Sequence, residues 1–397
     1  MNITHIIDRE QRFGANNYSP LPVAISRAQG VWVEDCDGKR YLDMMSAYSA
    51  VSHGHAHPRI VAAAIAQLQK VSVVSRAFHS ETLGHFLEAL CEIAGFEAAL
   101  PMNSGAEAVE TAIKAARRWG YRVKGIARDK ARIVTATDNF HGRTTTIVGF
   151  STEPQYKDGF GPFSDGFDTA TFGDIDSFRA AIGPNTCAVL IEPIQGEAGI
   201  RVPPQGFLRQ LRELCDATNT LLILDEIQSG LGRTGKTFAF EHEGIRPDGL
   251  IVGKALGGGI LPVSAFIADH ALMDLFDAGS HGSTFGGNPL AAAVGLEALR
   301  VLQDEQLAQN SAELGAYLQQ RLREMAVPFV RDIRGRGLWV GIELDRPARP
   351  YCEALMALGV LAKETHETVL RIAPPLCISR DELDWGLERI AQVLVDC

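Results

Sequence analysis

A lysine and a run of glycines end one of the apolar segments of the chain. Lys254 closes the segment DGLIVGK at 248–254, and three glycines follow at 257–259. A lysine at the end of a buried strand is partly desolvated, which lowers its pKa and frees the amine to act as a nucleophile. The glycines leave room for a flat ring beside it. In isolation such a lysine is more often a solvated surface charge, so other residues must decide its interpretation.

Two further features follow predicted strands in the same way. Asp225 closes the apolar segment 221–225, where a carboxylate needs a partner because burying it unpaired is costly. Ser104 and Glu107 form a capping box at the start of a helix, and Gly105 lets a ligand approach the backbone closely. The free N–H groups at a helix N-terminus bind anions. Taken singly, the aspartate could form a structural salt bridge and the serine could be an ordinary cap.

The three features together match the needs of one cofactor. Pyridoxal phosphate requires an anion site for its phosphate, a carboxylate beside its protonated pyridine nitrogen and an amine that condenses with its aldehyde. The spacing between Asp225 and Lys254 suits one strand-to-strand crossover, so the two side chains can face each other from neighbouring strands. We therefore predict a pyridoxal-phosphate site and an enzyme that uses this cofactor.

Such a site requires a sheet that brings several strand ends together. From about residue 58 to residue 305, helical patterns alternate with short apolar runs. These runs lie at residues 133–135, 188–191, 221–224, 249–252 and 264–267. The alternation predicts an α/β domain whose mainly parallel sheet is covered on both faces. Open sheets of this kind bind ligands at the carboxyl ends of their strands.

The rest of the chain has a different pattern. Apolar runs on either side of Asp37 and Gly38 predict a β-hairpin near the N-terminus. After about residue 305 we expect a long helix, a few strands and a final helix, which form a smaller α+β domain. The N-terminal segment is expected to join that smaller domain. The predicted divisions are 1–57, 58–305 and 306–397.

Composition argues against several classes of protein. The 397 residues carry a net charge of −10 without a conspicuous run of Lys or Arg, so we expect no nucleic-acid partner. The sequence lacks the roughly 18 consecutive apolar residues of a membrane helix, so we expect no membrane partner either. Seven scattered cysteines without a CxxC pair predict reduced thiols and a cytoplasmic protein.

Motifs along nearly the whole chain resemble those of one family. In chain order they are NYSPLPV (17–23), SAYSAV (46–51), LPMNSGAEA (100–108), NFHGRT (139–144), EPIQGEAG (192–199), LDEIQSGLGRTG (224–235), GKALGGG (253–259), HGSTFGGNP (281–289) and LRIAPPL (370–376). They resemble class-III aminotransferases of fold type I, and the first two point to the branch that acts on ornithine. The resemblance implies a seven-stranded, mainly parallel sheet in the large domain and a homodimer with its active site at the subunit interface.

The resemblance also implies how pyridoxal phosphate is bound. Lys254 would bind the cofactor and then move the proton between the substrate carbon and the cofactor carbon, while Asp225 would keep the ring nitrogen protonated. Gln228 would contact the phenolic oxygen, Phe140 would stack on the ring and His141 would lie beside it. The phosphate would be held by Ser104, Gly105 and Ala106 and, from the other subunit, by Thr284.

The substrates implied by the resemblance are L-ornithine and 2-oxoglutarate. The residues that would bind them are Tyr18, Tyr48, Arg143, Glu197 and Arg371. Arg143 suits a carboxylate in bidentate geometry. Arg371 would hold the α-carboxylate of 2-oxoglutarate, and Glu197 would neutralise Arg371 when ornithine enters with its δ-amine first. The product from ornithine would be glutamate semialdehyde, which cyclises spontaneously.

Three features keep alternatives open or invite other interpretations. His141 stands where animal members of the ornithine branch carry tryptophan, so acetylornithine, 4-aminobutyrate and polyamines remain alternative amino donors. GLGRTGKT at 230–237 fits the phosphate-loop pattern of nucleotide hydrolases, but it neither follows its strand directly nor opens a clear helix, so this alternative is remote. His53, His55 and His57 alternate in a loop without a cysteine or carboxylate nearby in sequence, so we expect no metal site.

Overall fold

The protein folds into alternating helices and strands, which a computed structural model describes for residues 3–395. The helices are α1 (Ile3–Phe13), α2 (Ser46–Ser49), α3 (Pro58–Leu68), α4 (Leu83–Ala94), α5 (Gly105–Arg122), α6 (Thr145–Gly149), α7 (Pro154–Lys157), α8 (Ile175–Ala181), α9 (Phe207–Ala217), α10 (His270–Met273), α11 (Pro289–Asp304), α12 (Leu307–Glu324), α13 (Arg349–Ala357) and α14 (Arg380–Val395). The strands are β1 (Ile25–Gln29), β2 (Trp32–Asp35), β3 (Arg40–Asp43), β4 (Ala98–Met102), β5 (Arg132–Ala136), β6 (Phe167–Ala170), β7 (Thr186–Ile191), β8 (Leu221–Asp225), β9 (Gly249–Val252), β10 (Ser264–Ala268), β11 (Val330–Gly335), β12 (Val340–Leu344), β13 (Val360–Leu361), β14 (Lys363–Thr365) and β15 (Val369–Ile372). Short 3₁₀ helices lie at Ala239–His242 and Lys254–Gly257.

The large sheet contains seven strands in the order β4–β10–β9–β8–β7–β5–β6. From β9 to β6 all neighbours run parallel, whereas β10 is antiparallel to both β9 and β4. Every residue of β7, β8, β9 and β10 is buried, as expected for strands covered on both faces. The predicted α/β fold with a mainly parallel sheet is therefore confirmed.

All five apolar runs predicted as strands lie in this sheet, as β5, β7, β8, β9 and β10. The strands that lack such a run are the edge strands β4 and β6. Pro101 interrupts the apolar residues of β4, and Asp168 and Thr169 make β6 polar. Edge strands tolerate proline and polar residues because one side of their hydrogen-bonding ladder has no neighbour.

Two smaller sheets lie outside the large one, and one of them combines strands from the N-terminal and C-terminal parts of the chain. β2 and β3 form the predicted hairpin, and β3 then pairs in parallel with β13 from the C-terminal part of the chain. The sheet β1–β2–β3–β13 is thus built from both ends of the sequence. The other small sheet, β11–β12–β15–β14, contains Arg371 in its strand β15.

The short helix α2 has the opposite hand from the other helices. Ser46, Ala47, Tyr48 and Ser49 have φ angles of 49°, 45°, 58° and 76°. Residues with a Cβ avoid this left-handed region, at a cost of roughly 1–2 kcal/mol per residue, because the Cβ approaches the following carbonyl oxygen. Contacts with the rest of the protein must therefore hold this turn in place.

Within residues 3–395, none of the helices combines the length and the apolar composition needed to cross a membrane. The six cysteines in this range are free thiols. Cys187, Cys215 and Cys352 are buried, and burial raises the pKa of each of these thiols to about 12. Cys397 lies outside the described residues.

Candidate active site

Lys254 lies directly beyond the end of β9, as the first residue of its 3₁₀ helix. Its φ of 46° is in the left-handed region, and such strain is typical of residues at functional sites. Its Nζ forms no hydrogen bond or ion pair with any other residue that the structure describes. Burial lowers the pKa of the amine to about 8, so a larger fraction of it is neutral and able to attack an aldehyde.

Asp225 is the last residue of β8, which lies beside β9, so the two strand ends meet as predicted. Its Oδ1 accepts a hydrogen bond from the N–H of Ile227 at 3.0 Å, and its Oδ2 lies 2.7 Å from Nδ1 of the buried His141. Burial alone would lower the pKa of His141, but the hydrogen bond and the charge of Asp225 outweigh it and raise that pKa. The buried pair fixes the orientation of the carboxylate.

A cavity of about 170 Å³ lies between these groups. The predicted cofactor residues that line it are Gly105, Ala106, Phe140, His141, Asp225, Gln228 and Lys254. Ile194 and Ile227 add apolar walls. One cavity thus brings together residues that are separated by about 150 positions in the sequence.

The start of α5 lines this cavity with N–H groups that could hold an anion. The Ser104 N–H donates to Glu107 Oε2 at 2.7 Å and the Glu107 N–H donates to Ser104 Oγ at 3.3 Å, which is the predicted capping box. The first helical residues, Gly105 and Ala106, line the cavity and have N–H groups that no helical carbonyl can accept. A Cβ on Gly105 would lie 2.8 Å from Ile227, so the glycine allows the close packing. Ser104 caps the helix and does not line the cavity.

These groups fit pyridoxal phosphate. The cavity has a helix N-terminus for a phosphate, a buried carboxylate for a protonated ring nitrogen and an unpartnered amine for an aldehyde. Gly142 also approaches the helix closely, since a Cβ there would lie 2.9 Å from that of Ala106. A larger residue at Gly105 would therefore press on Ile227, and one at Gly142 would press on Ala106, so both glycines allow the close packing around the start of α5.

Arg371, Glu197 and Gln228 form a closed network beside the cavity. Arg371 Nη1 lies 3.1 Å from Glu197 Oε1, and its Nη2 donates to Gln228 Oε1 at 2.8 Å. Gln228 Nε2 in turn donates to Glu197 Oε1 at 2.8 Å. Burial would raise the pKa of Glu197, but the charges of Arg371 and Lys254 outweigh it and lower that pKa. The carboxylate and the guanidinium therefore form an ion pair.

The other predicted substrate residues lie closer to the surface. The ring centroid of Tyr48 is 4.9 Å from Arg371 Cζ and 6.0 Å from Lys254 Nζ. Arg143 is exposed and stacks on Tyr156, with its Cζ 3.6 Å from the ring centroid. Tyr18 is 81% exposed in the single chain and does not line the cavity. Tyr48 is thus the predicted tyrosine that the fold brings to Lys254.

Sequence reasoning missed two buried residues of the site. Glu192 directly follows β7, lines the cavity and accepts a hydrogen bond from the N–H of Phe140 at 3.0 Å. Burial raises the pKa of Glu192 to about 8. Its position after an apolar run is the same signal that identified Asp225. Trp339 is fully buried, and its ring centroid lies 5.7 Å from Arg371 Cζ. The sequence contained no signal for it, because an aromatic residue in a strand-rich segment is usually an ordinary core residue.

The alternating histidines bind three different partners. His53 Nε2 lies 2.9 Å from the carbonyl oxygen of Ala298, and His57 Nε2 lies 3.0 Å from Glu305 Oε1. His55 Nε2 lies 2.8 Å from Asp43 Oδ2. The three imidazoles therefore tie the loop to separate parts of the protein.

The segment 230–237 does not form a phosphate loop. Arg233, at its centre, is fully buried and donates to the carbonyl oxygens of Leu338 at 3.0 Å and Pro374 at 2.6 Å. The residues after it form turns and the 3₁₀ helix Ala239–His242. The arginine thus fixes the C-terminal part of the chain against the large sheet domain.

Comparisons with known proteins agree with this geometry. The family described as Aminotransferase class-III matches residues 13–394. The chain is 56% identical over 388 residues to ornithine aminotransferase from Macrococcus caseolyticus, covering 98% of both proteins. In structure it resembles ornithine aminotransferase from Toxoplasma gondii, described with PLP at the active site (TM-score 0.98, 40% identity, 100% of this chain and 94% of that one). It also resembles acetylornithine aminotransferase from Elizabethkingia anophelis (TM-score 0.93, 45% identity, 100% of both). The chain therefore belongs to the class-III aminotransferases, which depend on pyridoxal phosphate.

Proposed function

We propose that the protein transfers the δ-amino group of L-ornithine to 2-oxoglutarate, giving glutamate 5-semialdehyde and glutamate. The observation that carries this proposal is the ion pair of Arg371 with Glu197 next to Lys254 and Tyr48. A guanidinium with its own carboxylate partner can serve two substrates, because it is neutralised for one and released for the other. The identity to the Macrococcus caseolyticus ornithine aminotransferase supports the same substrates.

The residues around the cavity would hold the cofactor. Gly105 and Ala106 would bind its phosphate, Asp225 would hold the proton on its ring nitrogen and Lys254 would bind its aldehyde carbon. Phe140 would cover one face of its ring. When bound, pyridoxal phosphate withdraws electrons from the substrate carbon and carries the amino group from one substrate to the other.

Lys254 is the base of the proposed reaction. Its Nζ takes the proton from the substrate carbon that bears the amine and delivers it on the cofactor side, which requires an amine that is neutral near physiological pH. The lowered pKa of about 8 supports this role. Glu192 accepts a hydrogen bond from the backbone N–H of Phe140 and so keeps the Phe140 side chain over the face of the cofactor ring.

The two substrates use Arg371 differently. When ornithine enters, Glu197 stays paired with Arg371, and the α-carboxylate of ornithine lies further out, near Tyr18, Tyr48 and Arg143. The δ-amine then reaches Lys254. When 2-oxoglutarate enters, Glu197 swings away and Arg371 binds the α-carboxylate in bidentate geometry.

An amino-donor panel with 2-oxoglutarate tests this proposal. We expect kcat/KM for ornithine to exceed that for acetylornithine, 4-aminobutyrate and putrescine by about tenfold or more, which corresponds to about 1.4 kcal/mol of discrimination. The second candidate is acetylornithine, favoured by His141 and by the likeness to the Elizabethkingia anophelis enzyme. A higher kcat/KM for acetylornithine than for ornithine would contradict the proposed donor.

The proposal includes a homodimer whose active site lies at the subunit interface. The loop around Thr284 supports it, because Ser283 Oγ accepts a hydrogen bond from Asn103 Nδ2 at 2.9 Å, which fixes the loop, while Thr284 itself is exposed. Phe285 beside it is 54% exposed and Phe78 is 76% exposed. Large exposed aromatic side chains are typical of protein–protein contact surfaces.

Replacement of Thr284 by alanine is expected to weaken cofactor binding and dimerisation together. If its hydroxyl reaches the phosphate of the partner subunit, its loss removes one hydrogen bond, which corresponds to about a fivefold weaker cofactor affinity. Cofactor titration and analytical ultracentrifugation measure the two effects. Thr169→Ala, an exposed threonine on the edge strand β6, is the matched control and should change neither. A fully active monomer would contradict the proposed interface site.

Two coarser features of the proposal concern organisation and location. We propose the domain division 1–57, 58–305 and 306–397, supported by the pairing of β3 with β13, which attaches the first segment to the last. We also propose that the enzyme works in the cytoplasm, supported by the free state of the six described cysteines.

A further inference from the structure

The turn that presents Tyr48 is held from outside the substrate site. Residues 46–49 are all left-handed, although none of them is a glycine. Such a conformation persists only where the surrounding structure fixes it. The contacts that fix this turn therefore determine where the Tyr48 ring lies.

Asp43 holds the beginning of the turn. Its Oδ1 accepts hydrogen bonds from the N–H groups of Met45 at 2.8 Å and Ser46 at 2.9 Å. Its Oδ2 accepts a hydrogen bond from Nε2 of His55 at 2.8 Å. The side chain of Asp43 is only 9% exposed, so water does not readily replace these partners.

His55 is itself anchored by its backbone. Its N–H donates to the carbonyl oxygen of Gly30 at 2.7 Å, and the N–H of Gly30 donates to the carbonyl oxygen of His55 at 2.9 Å. This two-way bridge fixes the position from which the imidazole reaches Asp43. His55 does not line the cavity, and its imidazole contacts the turn through Asp43.

The same turn is joined to the strand that carries Arg371. Ser46 Oγ donates to the carbonyl oxygen of Ala373 at 2.5 Å, and the N–H of Ala373 donates to the carbonyl oxygen of Met44 at 2.6 Å. Ala373 follows Arg371 by two residues. A displacement of the turn would therefore change the distance between the Tyr48 ring and the Arg371 guanidinium.

We propose that Asp43 and His55 are positioning residues that hold the left-handed turn in place, orient Tyr48 and thereby set the preference for the amino donor. This inference rests on the proposed function, because it requires Tyr48 to face the substrate. His55 and Asp43 do not touch substrate, and their effect is transmitted through the backbone of residues 45–48.

A double-mutant cycle between His55 and Tyr48 in the holoenzyme tests the proposal. We expect His55→Leu to raise the KM for ornithine about fivefold, which corresponds to about 1 kcal/mol, with kcat changed less than about twofold. His55→Gln retains a donor and should recover most of the loss. In the Tyr48→Ala background, His55→Leu should have no further effect, because residues that act through one another are not additive. His57→Leu, in the same loop but bonded to Glu305, is the matched control and should leave the KM unchanged.

The outcomes separate this inference from the function on which it rests. If Tyr48→Ala leaves the KM for ornithine unchanged, the proposed substrate role of Tyr48 is wrong and the inference is overturned with it. If Tyr48→Ala raises the KM but the two substitutions are additive, the positioning role is wrong and the proposed function stands. If His55→Leu raised the KM for ornithine and the KM for glutamate by the same factor, the positioning role would also be overturned.

Two further measurements do not depend on turnover. Hydrogen exchange at the amides of Met45 and Ser46 should accelerate about fivefold in His55→Leu, while the β2–β3 hairpin amides should keep their rates. Unchanged exchange at Met45 and Ser46 would overturn the proposal.

The Ala47→Gly substitution tests the strain of the turn by thermal unfolding. Ala47 is exposed and has a φ of 45°, which glycine adopts without strain, so the variant should keep or raise the Tm. A lowered Tm would contradict a strained turn.

Discussion

Replacing Lys254 with alanine is expected to reduce turnover of ornithine and 2-oxoglutarate by about 10²–10⁴-fold, the typical contribution of a general base, or by more because the cofactor anchor is lost as well. The physical reason is the position of the amine, which lies in the cavity without another partner among the described residues and has a pKa lowered to about 8. The measurement is the rate at which pyrroline-5-carboxylate, the cyclised form of glutamate semialdehyde, accumulates with saturating cofactor.

Lys236→Ala is the matched control for this substitution. Lys236 is exposed in the loop after Arg233, so its replacement should leave the rate within about twofold, as is usual for surface substitutions. A Lys254→Ala protein that retained more than about one tenth of the parental rate would contradict the assignment of Lys254 as the base.

Replacing Glu197 with alanine is expected to reverse part of the donor selectivity. Without the carboxylate, Arg371 has lost its ion-pair partner and keeps only the neutral Gln228, so it binds α-carboxylates whichever substrate enters, and glutamate becomes a better donor and ornithine a poorer one. A hydrogen bond to a charged group is worth roughly 1.5–3 kcal/mol, so the ratio of glutamate to ornithine rates should rise about thirtyfold. Single-turnover absorbance changes of the bound cofactor with each donor measure this ratio.

Two further variants sharpen the interpretation of the Glu197 result. Glu197→Gln retains the size of the side chain but not its charge, and it should change the ratio in the same direction. Glu364→Ala removes a nearby carboxylate that pairs with Lys363 and Arg349, so the ratio should not change. An unchanged ratio in Glu197→Ala would mean that Glu197 is structural and that Tyr18, Tyr48 and Arg143 select the donor.

The centre of the site could be predicted from sequence because its residues lie at strand ends. Asp225 and Lys254 directly follow buried apolar runs, and parallel strands place such ends at one edge of the sheet. Ser104 and Gly105 carried the signature of a helix start, which is local in sequence. These features need no knowledge of long-range contacts.

Other parts of the site depend on contacts that no local pattern records. SAYSAV contains no glycine, so nothing in it predicts four left-handed residues. The turn is held by contacts with residues distant in sequence, among them the Asp43–His55 hydrogen bond and the bond from Ser46 to Ala373.

Trp339 clusters with Ile194 and Ile200, which lie well over 100 positions earlier in the sequence, and no local pattern records such a contact. The motifs around Tyr18 and Thr284 also did not indicate that both side chains are exposed to solvent in a single chain.

The most direct test of the account is borohydride reduction of the holoenzyme followed by peptide mapping, before and after one equivalent of ornithine. We expect reduction to fix the cofactor to Lys254 in the untreated enzyme. We expect ornithine to abolish this fixation, because the cofactor then carries the amino group, and 2-oxoglutarate to restore it. Fixation to a different lysine would contradict the role of Lys254. Fixation to Lys254 that persists with ornithine would contradict ornithine as the amino donor.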